Sequence, residues 1–398
     1  MSRISPTVAF GTLSAALAAG YGVLFTVVGD FRDEYGISET LIGVIIGAGF
    51  LSAFVAQILI APLADRGHAR RLIIVGVLAN VAGLLLMAFG ESVAPILIGR
   101  LVSGIGIGAA LPAIRRIVIL ADPTNLGQNL GRLLSADVFG FALGPAISAV
   151  LVGPLGLAAP FIVVAVATAA CVPFALAVGV TETPDAGGQR LALDLLKSRV
   201  IAGAVVLGAA VFLMIGAFDA LWDIVHEDLN TPTLMANLGI TLFALPLVIL
   251  GPTGGRLAQR IGPFRVAGVG LLVAAVFMFS YGQVPNGNWI FAVAMVHAVT
   301  DGLTVAASGV AVAMAVPEER QAGAQGVIGA AQALSAGITA IIIGSIYEGS
   351  GRGLAFAAAS LGMVVLVVVG LVLAMPFIRG DRPDAGEVLA PHRAPAPL

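Results

Sequence analysis

The residues of this chain that can do chemistry are few, and most are acids, imidazoles and guanidiniums set inside long apolar runs. Asp301 is the acid to weigh first. His297 lies four residues earlier on the same helical face, with Thr300 and Thr304 nearby. Counting ~1.5 Å per residue from Trp289 puts Asp301 close to the middle of a bilayer. An acid there costs about 2.5–3.5 kcal/mol. Such an acid–imidazole pair can bind and release a proton; the alternative is a hydrogen-bonded pair that only holds its helix to a neighbour. Arg100 sits just inside another apolar run. It either snorkels to the headgroups or is a buried cation that pairs with a carboxylate or shifts the protonation of one.

Further polar positions follow the same pattern. Asp219 and Asp223 share a helical face beside Trp222. They line an outer mouth that favours cationic solutes, or they are solvated acids beside an interfacial aromatic. Asp137 is placed to pair with Arg115, Arg116 or Arg132. Tyr21, Gln57, Asn237, Thr241, Gln325 and Gln332, together with Thr304, are candidates to face a central cavity or to bridge two helices.

The elements that must carry these groups are membrane spans. Apolar residues make up 59% of the chain and charged residues 11%, with a mean hydropathy of +1.05. A soluble domain carries about 25% charged residues. This chain cannot cover itself with polar surface, so its solvent is largely lipid. Runs of roughly 20 apolar residues predict twelve spanning helices: 7–29, 40–63, 72–90, 94–119, 131–153, 158–180, 200–223, 233–254, 264–283, 288–315, 322–347 and 353–377. The expected organisation is an all-α membrane protein with two pseudosymmetric six-helix bundles, 1–180 and 199–378. A polar linker (181–198) joins them, and a disordered tail (379–398) follows.

Several function classes are excluded. The net charge of −2 gives no hint of a nucleic-acid partner. Cys171 is the only cysteine, so no internal disulfide forms, and the four histidines are scattered without metal-ligand spacing. Gly104, Gly106 and Gly108 follow no strand and are not a dinucleotide fingerprint; a P-loop lysine motif is missing. No enzyme activity, cofactor or metal is expected, and a monomer is expected.

Two polar interruptions half a chain apart look alike. The first is Ala61-Pro62-Leu63-Ala64-Asp65-Arg66-Gly67-His68-Ala69-Arg70-Arg71, and the second is Gly255-Arg256-Leu257-Ala258-Gln259-Arg260-Ile261-Gly262-Pro263-Phe264-Arg265. Each follows the second span of its half. With the N-terminus placed in the cytoplasm, seventeen Lys and Arg fall inside and two, Arg32 and Arg352, fall outside. That bias predicts an inner or plasma membrane protein with both termini cytoplasmic.

This organisation resembles the major facilitator superfamily over essentially the whole chain. The family's loop signature G-x-L-A-D-R-x-G-R-R is matched at Leu63, Ala64, Asp65, Arg66 and Arg70, with Ala61 and His68 in place of its glycines. In the second copy Gln259 replaces the acid. Arg100-Leu101-Val102-Ser103-Gly104-Ile105-Gly106 resembles the family's R-x-x-x-G-x-G. Gly131, Gly140, Gly144 and Pro145 resemble the span-five motif of the twelve-helix drug:proton antiporter branch, with Ser148 and Ala149 for its last glycines.

The resemblance implies a secondary transporter that rocks around a central cavity, and export of a small organic or drug-like solute in exchange for protons. It implies that Asp65, with Arg66, Arg70 and Arg71, latches the cytoplasmic side against the start of helix eleven. It favours the buried reading of Arg100 and implies that Gly144-Pro145 shapes helix five. Asp301, His297 and Arg100 are then the proton-coupling candidates. A sugar or metabolite carrier with another coupling, and a transport-dead membrane sensor or scaffold, stand as alternatives.

Overall fold

The computed structural model describes residues 5–179 and 191–379. The long helices are α1 (Pro6–Tyr35), α2 (Glu39–Leu59), α3 (Ala69–Ala88), α4 (Val93–Ala121), α5 (Leu126–Leu155), α6 (Ala158–Ala177), α7 (Arg199–Asp228), α8 (Thr233–Ile261) and α9 (Pro263–Gln283). The tenth span is two pieces, α10 (Gly287–Thr304) and α11 (Ala307–Ala315). Next comes α12 (Gln321–Leu373), and the short α13 (Met375–Arg379) ends the described chain. Among the described residues, eleven helical stretches are long and apolar enough to cross a membrane. One of them contains α12, whose 53 residues are too long for a single crossing at ~1.5 Å per residue. It turns at Gly351 (φ 80°, ψ 175°), a left-handed backbone that favours glycine. Gly351 therefore divides α12 into the eleventh and twelfth spans, and the expected twelve are present.

Helices form because backbone polar groups in lipid have to bond within their own segment. Small residues let them approach closely, and hydrogen bonds such as Asn80–Ser103 at 2.8 Å add to the packing. In α4, Gly99 and Gly106 face α3: an added Cβ would lie 2.6 Å from the Gly83 carbonyl oxygen and 2.4 Å from that of Gly76. Gly104 faces α2, 2.4 Å from the Gly49 oxygen. The R-x-x-x-G-x-G glycines thus pack α4 at backbone contact against two neighbours at once. In α5, Gly140 and Gly144 face α1, where a Cβ would stand 2.0 Å from the Ala15 oxygen and 2.4 Å from the Gly22 carbonyl carbon. The opposite, exposed faces carry residues such as Leu51, Val276 and Ile341, as expected for surfaces bathed in acyl chains.

The two six-helix halves meet along α5 with α8 and along α2 with α12. These seams close at the end that carries the linker. A Cβ on Gly131 would lie 2.1 Å from the Gly251 oxygen, one on Gly255 1.9 Å from the Gly127 oxygen, and one on Gly326 2.5 Å from the Gln57 oxygen. Farther along the same helices, Gly43 and Gly47 of α2, Gly153 of α5, and Gly337 and Gly344 of α12 have nothing within 4 Å of the Cβ position. The seam is shut at the linker end, while these positions toward the other end stand open. Within the linker, a 3-10 helix (Ala192–Lys197) buries Ala192 and Leu195. Arg320 grips Asp194 with two hydrogen bonds of 3.0 and 2.6 Å, tying this helix to the start of α12.

Candidate functional site

Asp65 closes the linker end. It lies in a 3-10 turn (Ala61–Arg66) after α2, and the chain then passes through Gly67 at φ 78°, one residue before His68. The carboxylate is 7% exposed. Its Oδ1 accepts from the Ala322 N–H at 2.9 Å and its Oδ2 from the Gly323 N–H at 2.7 Å. Those donors are free because the first N–H groups of a helix have no partner within it, and the helix dipole adds positive potential there. Nε of Arg116, a fully buried side chain of α4, donates to Oδ1 at 3.0 Å. The guanidinium on Asp65 is therefore one that the loop signature does not contain. Of the loop's own arginines, Arg66 is half-buried in the turn, Arg70 donates to the Leu176 carbonyl of α6, and Arg71 is exposed.

The second copy of the loop makes the mirror contact without a charge. Gln259 accepts from the Gly127 N–H at 2.9 Å and donates to the Thr124 carbonyl at 3.0 Å, at the start of α5. An amide offers both an acceptor and a donor, so it satisfies an N–H and a C=O together. Of the span-five motif, Gly131 faces this seam, while Gly140, Gly144 and Pro145 pack on α1.

Within the second half, His297 and Asp301 are both buried, with Nε2 and Oδ1 3.4 Å apart. Tyr281 of α9, a residue that the sequence reading passed over, places its hydroxyl 2.8 Å from His297 Nδ1. Phe277 stacks on the imidazole at 5.0 Å, and Phe243 of α8 meets it edge-on at 5.7 Å. Phe218 of α7 and Phe356 of the twelfth span flank Tyr281. The acid thus sits beside a tyrosine–imidazole pair enclosed by aromatic rings. Nε2 of His297 and Oδ2 of Asp301 are buried and have no hydrogen-bond partner among the described residues.

Arg100 is fully buried in the first half, near the end of α4 away from the latch. Its guanidinium carbon stands 4.0 Å over the Tyr21 ring and 5.8 Å from that of Phe50. None of its nitrogens has a hydrogen-bond acceptor among the described residues. The Gly49 carbonyl beside it already accepts from Tyr21 Oη at 3.3 Å and Ser52 Oγ at 3.1 Å. Arg100 does not snorkel; ring faces stabilise its charge. Asp137 pairs with Arg115 at 3.5 Å and accepts from Ser14 of α1.

The remaining candidates separate by exposure. Asp219 and Thr241 are exposed, and Tyr21 and Gln332 are partly so. Trp222 is 3% exposed, packed against Phe218, His226 and the glycine space at Gly239, and does not line an open mouth. Gln57 lies against Gly329 across the seam, Gln325 donates to the Gly309 carbonyl, and Thr304 fills the space over Gly270 while bonding back to the Thr300 carbonyl. The side chains of Asn237 and Asp223 lie outside the described residues.

A family model described as Major Facilitator Superfamily matches residues 8–223 and 204–398. The chain belongs to that superfamily. It is a multi-pass membrane transporter, not an enzyme. Similar proteins include the uncharacterized MFS-type transporter MJ1560 of Methanocaldococcus jannaschii, 30% identical over 143 residues. That match covers 36% of this chain and 37% of the archaeal protein. MFS-type transporter SLC18B1 of Rattus norvegicus is 24% identical over 325 residues, covering 76% of this chain and 71% of the rat protein. Quinolone resistance protein NorA of Staphylococcus aureus is 21% identical over 228 residues, covering 52% of this chain and 55% of its own. Among solved structures, the proton:xylose symporter XylE superposes with a TM-score of 0.78 at 15% identity, covering 98% of each chain. At that identity the likeness is one of fold.

Proposed function

We propose that this superfamily member exports a small organic, drug-like solute in exchange for protons by alternating access. In this reading the linker end lies in the cytoplasm of a cell with the protein in its inner or plasma membrane, and both termini are cytoplasmic. The structure is then the outward-facing state, closed inside by Asp65 on the start of the eleventh span. The observation that carries the proton part is Asp301 with His297, a buried acid beside an imidazole packed between aromatic rings and not paired to a Lys or Arg among the described residues. Such a group can exchange its proton without breaking a strong ion pair. Arg100, another buried charge, acts on this acid's half through the rocking of the bundles. Export rests on the span-five glycine pattern and on the similarity to a quinolone resistance protein.

The test is the direction of proton movement. Purified protein in weakly buffered detergent, mixed with solutes found by a thermal-shift screen, should release protons on binding, in proportion to bound solute. Proton uptake with solute would replace exchange by symport and overturn the proposal.

A further inference from the structure

We infer that Tyr281 is a positioning residue for the acid at Asp301, acting through His297; this rests on the proposed proton coupling at that acid. The three groups lie in a row across two helices. Tyr281 Oη lies 2.8 Å from Nδ1, and Nε2 stands 3.4 Å from Asp301 Oδ1 without a hydrogen bond in this state. A neutral imidazole has one donor nitrogen and one acceptor nitrogen. An ionised carboxylate only accepts, so when Asp301 is ionised the nitrogen facing it carries the hydrogen. Nδ1 is then the acceptor, and the group donating to it is the Tyr281 hydroxyl. The tyrosine thereby selects the Nε2–H tautomer and holds the ring with that nitrogen within reach of Oδ1. Oδ2, buried and unpartnered, is left as the oxygen that takes the coupling proton.

The surroundings leave the hydroxyl no competing task. Among the described residues, α7, α8, α9 and α12 bring Phe218, Phe243, Phe277 and Phe356 to the cluster, and Tyr281 is the group among them that can ionise. Arg352 of the twelfth span is directed to the Val284 carbonyl at 2.7 Å. A buried phenol oxygen needs a hydrogen-bond partner that the surrounding rings do not supply, and His297 Nδ1 provides it.

Tyr281→Phe keeps those ring contacts and removes the donor. The tautomer bias is lost, Nε2–H no longer has to face Asp301, and the ionised carboxylate loses the nearby N–H dipole that stabilises it. Proton-driven flux in proteoliposomes should then reach half-maximum about 0.5–1 pH unit more alkaline, with solute affinity unchanged. Solution 15N NMR of imidazole-labelled protein should show His297 moving from the Nε2–H tautomer to a mixture. In a His297→Gln background, Tyr281→Phe should shift the profile no further.

An unchanged pH profile together with an unchanged tautomer overturns the inference, as does a full second shift in the His297→Gln background. The two readings fail differently. If Asp301→Asn keeps driven flux, the coupling proposal itself falls. If Asp301→Asn is inert and Tyr281→Phe behaves as wild type, only the positioning role falls. Should Tyr281→Phe fold poorly, the tautomer of His297 in the wild-type protein decides alone: Nδ1–H overturns the inference.

Discussion

Replacing Asp65 with Asn should open the linker end without unfolding the protein. Three donors converge on the carboxylate, and they divide by half: Arg116 belongs to the same half as Asp65, while the Ala322 and Gly323 N–H groups belong to the other. When the halves rock apart, only the second pair is lost. Neutralising Asp65 weakens the Arg116 contact in both states, so that cost largely cancels from their ratio. Each hydrogen bond to a charged acceptor contributes about 1.5–3 kcal/mol. An Asn keeps one acceptor oxygen and turns an NH2 against a donor, so at least one cross-half bond is lost. That gives about 2 kcal/mol, or roughly a 30-fold change in the ratio of open to closed linker ends. Spin labels at Leu63→Cys and Glu319→Cys, both exposed positions, report the gap. Cys171 is the only native cysteine and is changed to Ala for the measurement. Electron–electron resonance should show a longer distance gaining population in Asp65→Asn. A folded variant with an unaltered distribution would refute the latch.

Two further outcomes can be checked with similar material. Gly255→Ala would put a methyl group 1.9 Å from the Gly127 oxygen and should wedge the same end open at a cost of about 1–3 kcal/mol, whereas Gly43→Ala, with nothing within 4 Å, should be silent; equal effects would argue against the backbone-contact seam. His226, near the end of α7 away from the linker, is buried and hydrogen-bonded to Thr231 at 2.9 Å, and burial holds its pKa below the ordinary 6.5. The unfolded chain therefore binds the proton first: stability is fully present above about pH 6.5 and falls as pH drops through that value toward the folded pKa. The melting temperature should decline less between pH 7.5 and 5.5 in His226→Gln than in the wild type, and parallel declines would remove His226 as a cause.

Much of the fold was legible because lipid imposes one demand on every span. Apolar runs of about 20 residues located the twelve helices, including the pair that meets at the short polar stretch around Gly351. Contacts along one helix were equally accessible: His297 and Asp301 meet because four residues make about one turn. Contacts between helices were not. Tyr281 and His297 are brought together by the packing of α9 on α10, which periodicity in an almost uniformly apolar chain does not specify. Arg115 and Arg116 are neighbours in sequence, yet a helix turns about 100° per residue, so one reaches Asp137 and the other Asp65. Trp222 carried an interfacial signature, but the missing side chain at Gly239 lets its ring bury itself. Gln259 registered as a departure from an acidic motif; the structure gives it a capping role that an amide fills.

The claim on which the account turns is that one buried carboxylate links proton movement to the rocking of the two halves. Asp301→Asn in proteoliposomes addresses it directly, with solute flux measured under a pH gradient and solute counterflow measured without one. Loss of gradient-driven flux with counterflow retained is the predicted result. Driven flux at wild-type rates would contradict it.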